Sequence, residues 1–150
     1  MTEQFILDCS VAAKWYLFDE QETDAARTFL LKLVEGRVEL HAPDALKYEL
    51  GHVLSKAQRA HKPRFSRIES ERAYHHFCNL HIHYHELEIS ALQEAFYFGN
   101  RFHRNFYDAC YLWLAEKLDC RWLTAERKFL GPHPLGFPEH RILLLDFPPQ

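Results

Sequence analysis

Short apolar runs, too brief to be core helices, alternate along this chain with longer stretches of helical period, and that alternation constrains the fold more than any other feature. Phe5-Ile6-Leu7 ends at Asp8, and behind Ser10 the period changes, with Val11, Ala12, Ala13, Trp15 and Tyr16 at helical spacing. This reads as strand, turn, helix. A second helix is expected from Gln21 to Glu35, its stripe formed by Ala25, Ala26, Phe29, Leu30, Leu33 and Val34, with Gly36 as its cap. Val38 to His41 is a short strand. Pro43 suits the first turn of the next helix and Asp44 its positive end, after which Leu46, Leu50, Val53, Leu54 and Ala57 mark one face. Helices follow at Ser66–Asn79, Ala91–His103 and Tyr107–Leu118, and strands at His81–Glu88, Arg121–Thr124 and Ile142–Leu145. Strand and helix in alternation imply a parallel sheet covered on both faces, with right-handed crossovers. Ligands of such sheets sit beyond the carboxyl ends of the strands, which singles out Asp8.

A chain of 150 residues is expected to form one domain, 1–150, burying roughly 70% of its unfolded surface without metal or disulfide staples. Cys9, Cys78, Cys110 and Cys120 have no paired spacing and read as free thiols. The segment Met1–Asp8 lacks the form of a signal peptide, and no apolar stretch approaches ~18 residues, so a cytoplasmic protein without a membrane partner is expected. With 21 acidic against 18 basic residues the formal charge is -3, which excludes an overtly basic nucleic-acid binder but not an enzyme with an acidic pocket.

Four acids fall where such a fold could gather them. Asp8 ends the first strand, Glu49 lies in the helix after Pro43, Asp108 starts an apolar helix, and Glu126 follows Arg121–Thr124. Each alone has an ordinary role: turn or cap for Asp8, dipole partner for Asp108, solvated loop acid for Glu126. Together, in apolar settings, they would cost several kcal/mol each unless paired or bound to a cation. Oxygen-only ligands favour Mg²⁺ or Mn²⁺, and the chemistry that follows is phosphodiester hydrolysis.

Four segments then carry a resemblance: Ile6-Leu7-Asp8-Cys9-Ser10-Val11-Ala12, Ala42-Pro43-Asp44-Ala45-Leu46-Lys47-Tyr48-Glu49, Tyr107-Asp108-Ala109-Cys110-Tyr111-Leu112-Trp113-Leu114-Ala115-Glu116, and Leu123-Thr124-Ala125-Glu126-Arg127. In order and spacing the chain resembles PIN-domain proteins, the VapC-type toxins in particular, from Phe5 to Leu145. The resemblance implies a three-layer α/β/α sandwich whose parallel sheet has about four or five strands. It also implies a Mg²⁺- or Mn²⁺-dependent endoribonuclease, the toxin of a toxin–antitoxin pair, held by a small antitoxin and often dimeric. Asp8, Glu49 and Asp108 match the family's acidic positions, and Ser10 and Thr124 its supporting hydroxyls. Glu126 stands where the family most often has aspartate, and His52 where it commonly has asparagine. The alternative is a catalytically weak PIN-like module that acts by binding RNA or a protein.

Six basic residues between Lys47 and Arg67 face one acid, so Lys56 and Arg59 are candidate RNA contacts, joined by Arg104 and Arg127 near the acids. A solvated surface is the plainer account of each. His81, His83 and His85 alternate and would share one strand face. Without a cysteine or H-E-x-x-H partner they read as a polar or interface face before a zinc or nickel site. Trp15, Tyr16, Phe18, Phe96, Tyr97, Phe98, Tyr111 and Trp113 are expected in the core first and on a partner surface second. No phosphate-binding glycine loop, nucleophile elbow or zinc-deaminase signature is present.

Overall fold

The computed structural model describes residues 2–145. Five strands form one sheet: β1 (Glu3–Leu7), β2 (Val38–Pro43), β3 (Ile82–His85), β4 (Arg121–Thr124) and β5 (Ile142–Leu144). Their order is β3-β2-β1-β4-β5 and every pairing is parallel. Around them lie α1 (Cys9–Lys14), α2 (Thr23–Val34), α3 (Ala45–Arg59), α4 (Arg67–Cys78), α5 (Ile89–Phe102) and α6 (Phe106–Lys117). This is the expected α/β/α sandwich.

The central strands explain themselves. β1 and β4 are covered on both faces, so Ile6, Leu7, Trp122 and Leu123 are fully buried and their runs are apolar without alternation. Phe5 meets Phe29 of α2 edge to face at 5.5 Å, whereas Trp122 stacks on Tyr111 of α6 at 5.5 Å on the other side. α6 therefore spans β1, β2 and β4, with α5 packed outside it. Gly99 allows that packing, because a Cβ there would stand 3.0 Å from the Arg104 carbonyl and 3.2 Å from Ala109. Gly36, at φ +69°, ends α2 as expected: Arg37 N–H bonds the Lys32 carbonyl and Gly36 N–H the Leu33 carbonyl.

The chain steps from β1 outward to β2 and β3, then returns past β1 to β4 and β5, so the direction of winding reverses between β1 and β4. Asp8 and the Thr124–Glu126 loop follow those two strands. That is the crevice where open parallel sheets bind ligands.

Four expectations are corrected. Pro43 closes β2 opposite His85 instead of opening a helix. The second helix starts at Thr23, two residues late, behind Glu22 in a left-handed conformation. β3 is confined to Ile82–His85, which leaves His81 outside it. Phe18, Phe96 and Tyr97 are exposed by 68%, 54% and 69%, so they are not core, while Trp15 and Tyr111 are buried. All four cysteines are free, with Cys78 alone exposed.

Candidate active site

Asp8 does two things at once. It caps α1 by accepting from Ser10 N–H at 3.2 Å, and it is 6% exposed at the switch between β1 and β4. Its Oδ2 also accepts from the Thr124 hydroxyl at 3.1 Å and from the Ser10 hydroxyl. Ser10 Oγ in turn accepts from Ala125 N–H at 2.9 Å, and Thr124 Oγ1 from Glu126 N–H at 3.2 Å. Both hydroxyl protons are thus directed at one carboxylate oxygen, and both hydroxyl oxygens hold the loop after β4. The network joins the two strand ends and fixes Asp8 in one rotamer.

Glu49, half-buried on α3, accepts from the Tyr111 hydroxyl at 3.1 Å. Tyr111 lies three residues after Asp108, hence on the same side of α6. Asp108 sits in the first turn of that helix, where Asn105 Oδ1 accepts from its N–H at 2.8 Å. Together with Glu126, which is exposed, these acids line a cleft of about 540 Å³. The structure thus places all four acids and both hydroxyls in one region.

Crowding acids in a half-dry cleft is unfavourable, and the carboxyls register it. Burial pushes Asp8 up from 3.8 to about 6, helped by the charge of Asp108 and opposed by its hydrogen bonds. Burial likewise pushes Glu49 from 4.5 to about 7, with Tyr111 opposing and Asp8 and Asp108 adding. The same surroundings disfavour a thiolate at Cys9, whose thiol is raised by burial first and then by Asp8, Glu49 and Glu126.

Two lysines enter this acidic cleft. Lys128 Nζ reaches Asp108 Oδ2 at 2.6 Å from a 3₁₀ turn, Arg127–Leu130, anchored by Phe129 against Trp122. Lys14, 8% exposed on α1, ion-pairs Glu22 at 3.4 Å and Glu20 at 4.0 Å. Lys14 and the Tyr111–Glu49 bond were missed from sequence. The signal for Lys14 was a lysine closing the apolar run Val11-Ala12-Ala13.

The candidate RNA contacts are scattered. Lys56 and Arg59 are exposed near the end of α3, outside the cleft lining. Arg104 is held between Phe129 and Phe137, at 5.0 and 4.9 Å from the ring centres, and bonds His133 at 2.7 Å. Arg127 pairs with Glu22 at 2.6 Å. His52 lines the cleft and is exposed.

No sequence-family model matches the chain, and no curated protein sequence matches it. Solved structures do. VapC20 from Mycobacterium tuberculosis, described as a Sarcin-Ricin loop cleaving toxin, aligns at TM-score 0.65 and 14% identity over 91% of this chain and 98% of its own. The chain has the VapC-type PIN fold. VapBC2 from Rickettsia felis, bound to a DNA fragment from its promoter, aligns at 0.66 and 10% identity over 94% and 98%. A toxin–antitoxin complex from Klebsiella pneumoniae aligns at 0.62 and 12% identity over 94% and 97%. VapC-type architecture is therefore kept across almost the full length of both partners in each comparison, although few residues are shared. No helix among the described residues is long and apolar enough to cross a membrane.

Proposed function

We propose that this chain is a metal-dependent endoribonuclease, cytoplasmic, and the toxin of a toxin–antitoxin pair. One observation carries the reading: three carboxylates on three different elements converge on the switch-point crevice, in a fold seen in VapC20 and VapBC2. Asp8 and Glu49 are raised chiefly by burial and further by neighbouring carboxylates, a setting in which a bound cation would favour their ionised forms.

The donor set suits Mg²⁺ or Mn²⁺. It offers carboxylate oxygens, and its one adjacent thiol, Cys9, is held protonated. Asp8, Glu49 and Asp108 would hold the ion, with Glu126, exposed at the rim, contacting it or its waters. Such an ion supplies an activated water and neutralises charge on the scissile phosphate.

The chain's own residues divide the remaining work. Ser10 and Thr124 keep Asp8 Oδ2 engaged, so Oδ1 is the oxygen available for the ion. Tyr111 orients Glu49 in the same manner. Lys128 ion-pairs Asp108 on the cleft wall, where its ammonium would also be placed to donate to a phosphate oxygen. Single-stranded RNA is the proposed substrate, and a small antitoxin and a second copy of this chain are the proposed partners. The exposed Phe96, Tyr97, Phe106 and Tyr107 on α5 and α6 offer apolar area for one of them.

The test is cleavage of single-stranded RNA with Mn²⁺. Asp8→Asn and Asp108→Asn should each abolish it while circular dichroism and thermal melting remain cooperative. Cleavage equal to wild type in both variants would overturn the assignment, and an inert wild type would favour the RNA- or protein-binding module.

A further inference from the structure

A second cluster of ligating side chains lies at the edge of the sheet, on residues that do not line the cleft. β2 and β3 pair with His41 opposite His83, so strand alternation puts Glu39, His41, His83 and His85 on one face. It is the face of Ile6 and Trp122, which occupy matching register positions along β1 and β4. The imidazoles stand in a row. His41 stacks on His83 with ring centres 4.7 Å apart and tilts against His85 at 5.2 Å.

His41 is the unusual member. It is 8% exposed, and its Nδ1 is hydrogen-bonded to His85 Nε2 at 2.9 Å. Its Nε2 is buried, makes no hydrogen bond among the described residues, and lies 3.6 Å from Glu39 Oε2. A buried ring nitrogen left in that condition has lost its water partner and gained no other. One ligand atom from each of Glu39, His41 and His83 lies within 4.8 Å of the other two.

We propose that Glu39, His41 and His83 form a second divalent-metal site, distinct from the carboxylate cleft and suited to Zn²⁺. Two imidazole nitrogens and one carboxylate oxygen are a zinc donor set with a fourth position open to water, whereas Mg²⁺ prefers oxygen alone. With His41 Nε2 on the ion, Nδ1 carries the ring proton and donates it to His85 Nε2, the outer hydrogen bond that ligating histidines usually make. Tetrahedral bonds of about 2.0–2.1 Å put ligand atoms about 3.4 Å apart, so the widest pair must close by up to about 1.4 Å, whereas His41 Nε2 and Glu39 Oε2 are already 3.6 Å apart. His83 is exposed and Glu39 half-exposed, so the adjustment falls on these two side chains, with Glu39 Oε2 giving up the hydrogen bond it accepts from Gln4 at 3.0 Å. The ion would staple the four-residue edge strand β3 to β2. His85 of β3 already accepts from Asp44 N–H at 3.0 Å, at the start of the helix that carries Glu49.

Calorimetric titration with Zn²⁺, in millimolar Mg²⁺ to occupy oxygen-only sites, tests the proposal. Wild type should bind one Zn²⁺ per chain with Kd below about 10 μM, and Co²⁺ in its place should give the intense visible bands of a tetrahedral ion. His83→Ala, at an exposed position where folding is unaffected, should weaken binding by at least roughly tenfold, as should Glu39→Gln. The double variant Asp8→Asn with Asp108→Asn should bind Zn²⁺ as wild type does. Lack of binding by wild type, equal binding by His83→Ala and Glu39→Gln, or loss of binding in the cleft variant would each overturn it.

Discussion

Replacing Asp8 by asparagine should stabilise the metal-free protein at neutral pH and not in acid. The carboxyl titrates near 6 in the folded chain against 3.8 ordinarily, chiefly because it is buried. Between those values the folded state holds a proton that the unfolded state has released. Stability contributed by this group is therefore complete below about pH 4 and is lost as pH rises through about 6. The displacement corresponds to about 3 kcal/mol. Asparagine keeps a carbonyl oxygen for the donors on Ser10 and Thr124 and carries no charge, so it escapes that loss. It also removes one of the charges raising Glu49, which adds to the effect in the same direction.

Urea unfolding in EDTA at pH 4.5, 5.5 and 7, for wild type and Asp8→Asn together, measures it. The comparison must be a difference, because His41 and His85 are depressed by burial and give the opposite slope in both proteins. Relative to wild type, the variant should gain about 2 kcal/mol from pH 4.5 to 7. Saturating Mn²⁺ should reverse the ranking, since about a thousandfold excess over Kd stabilises wild type by about 4.1 kcal/mol. A difference that stays constant with pH, or that favours the variant in acid, would refute the claim that burial holds Asp8 protonated.

Three other outcomes follow from the same geometry. Lys128→Met removes the ammonium 2.6 Å from Asp108, and metal-free stability should fall by about 1 kcal/mol while Mn²⁺ binds several-fold tighter, both read by calorimetry. Tyr111→Phe deletes the bond to Glu49 at a cost of about 1 kcal/mol in urea unfolding, and the Glu49 carboxyl, titrated by NMR in EDTA, should rise further. Single-stranded RNA binding by Asp108→Asn should depend on salt with a slope of about -2, since each phosphate contact contributes about -0.7. Of the six basic residues from Lys47 to Arg67, Arg64 is paired with Asp19, Arg67 with Glu71 and Lys47 with Asp44, which leaves three.

Elements buried on both faces were the ones legible in the chain. Phe5-Ile6-Leu7 and Trp122-Leu123 have no solvent side, so a solid apolar run needed no partner to be recognised as strand. Asp8, Ser10 and Thr124 were legible for a related reason, as polar residues placed directly at the ends of such runs. Pro43 misled because its fixed φ suits the first turn of a helix and the last residue of a strand alike. The aromatic run Phe96-Tyr97-Phe98 misled because successive helical residues stand about 100° apart and one face cannot bury all three. Phe98 packs inward, and Phe96 and Tyr97 remain in solvent.

What the chain concealed is cross-strand register. His83 and His85 were visible as an alternating pair, yet their partners, Glu39 and His41, lie more than 40 residues away and meet them because Leu40 pairs with Ile82. A shift of one residue in that pairing would turn the histidines to the opposite face. The carboxylate cleft has the same dependence on non-local contacts but a stronger sequence signal, because charge in an apolar setting is costly wherever it occurs, whereas a neutral imidazole on a strand is not. That asymmetry explains why four acids could be assembled from sequence and the histidine cluster could not. It also changes how the charge of -3 is to be understood: Lys14 and Lys128 enter the cleft from its own walls, so part of the acid there is already balanced before any ion arrives.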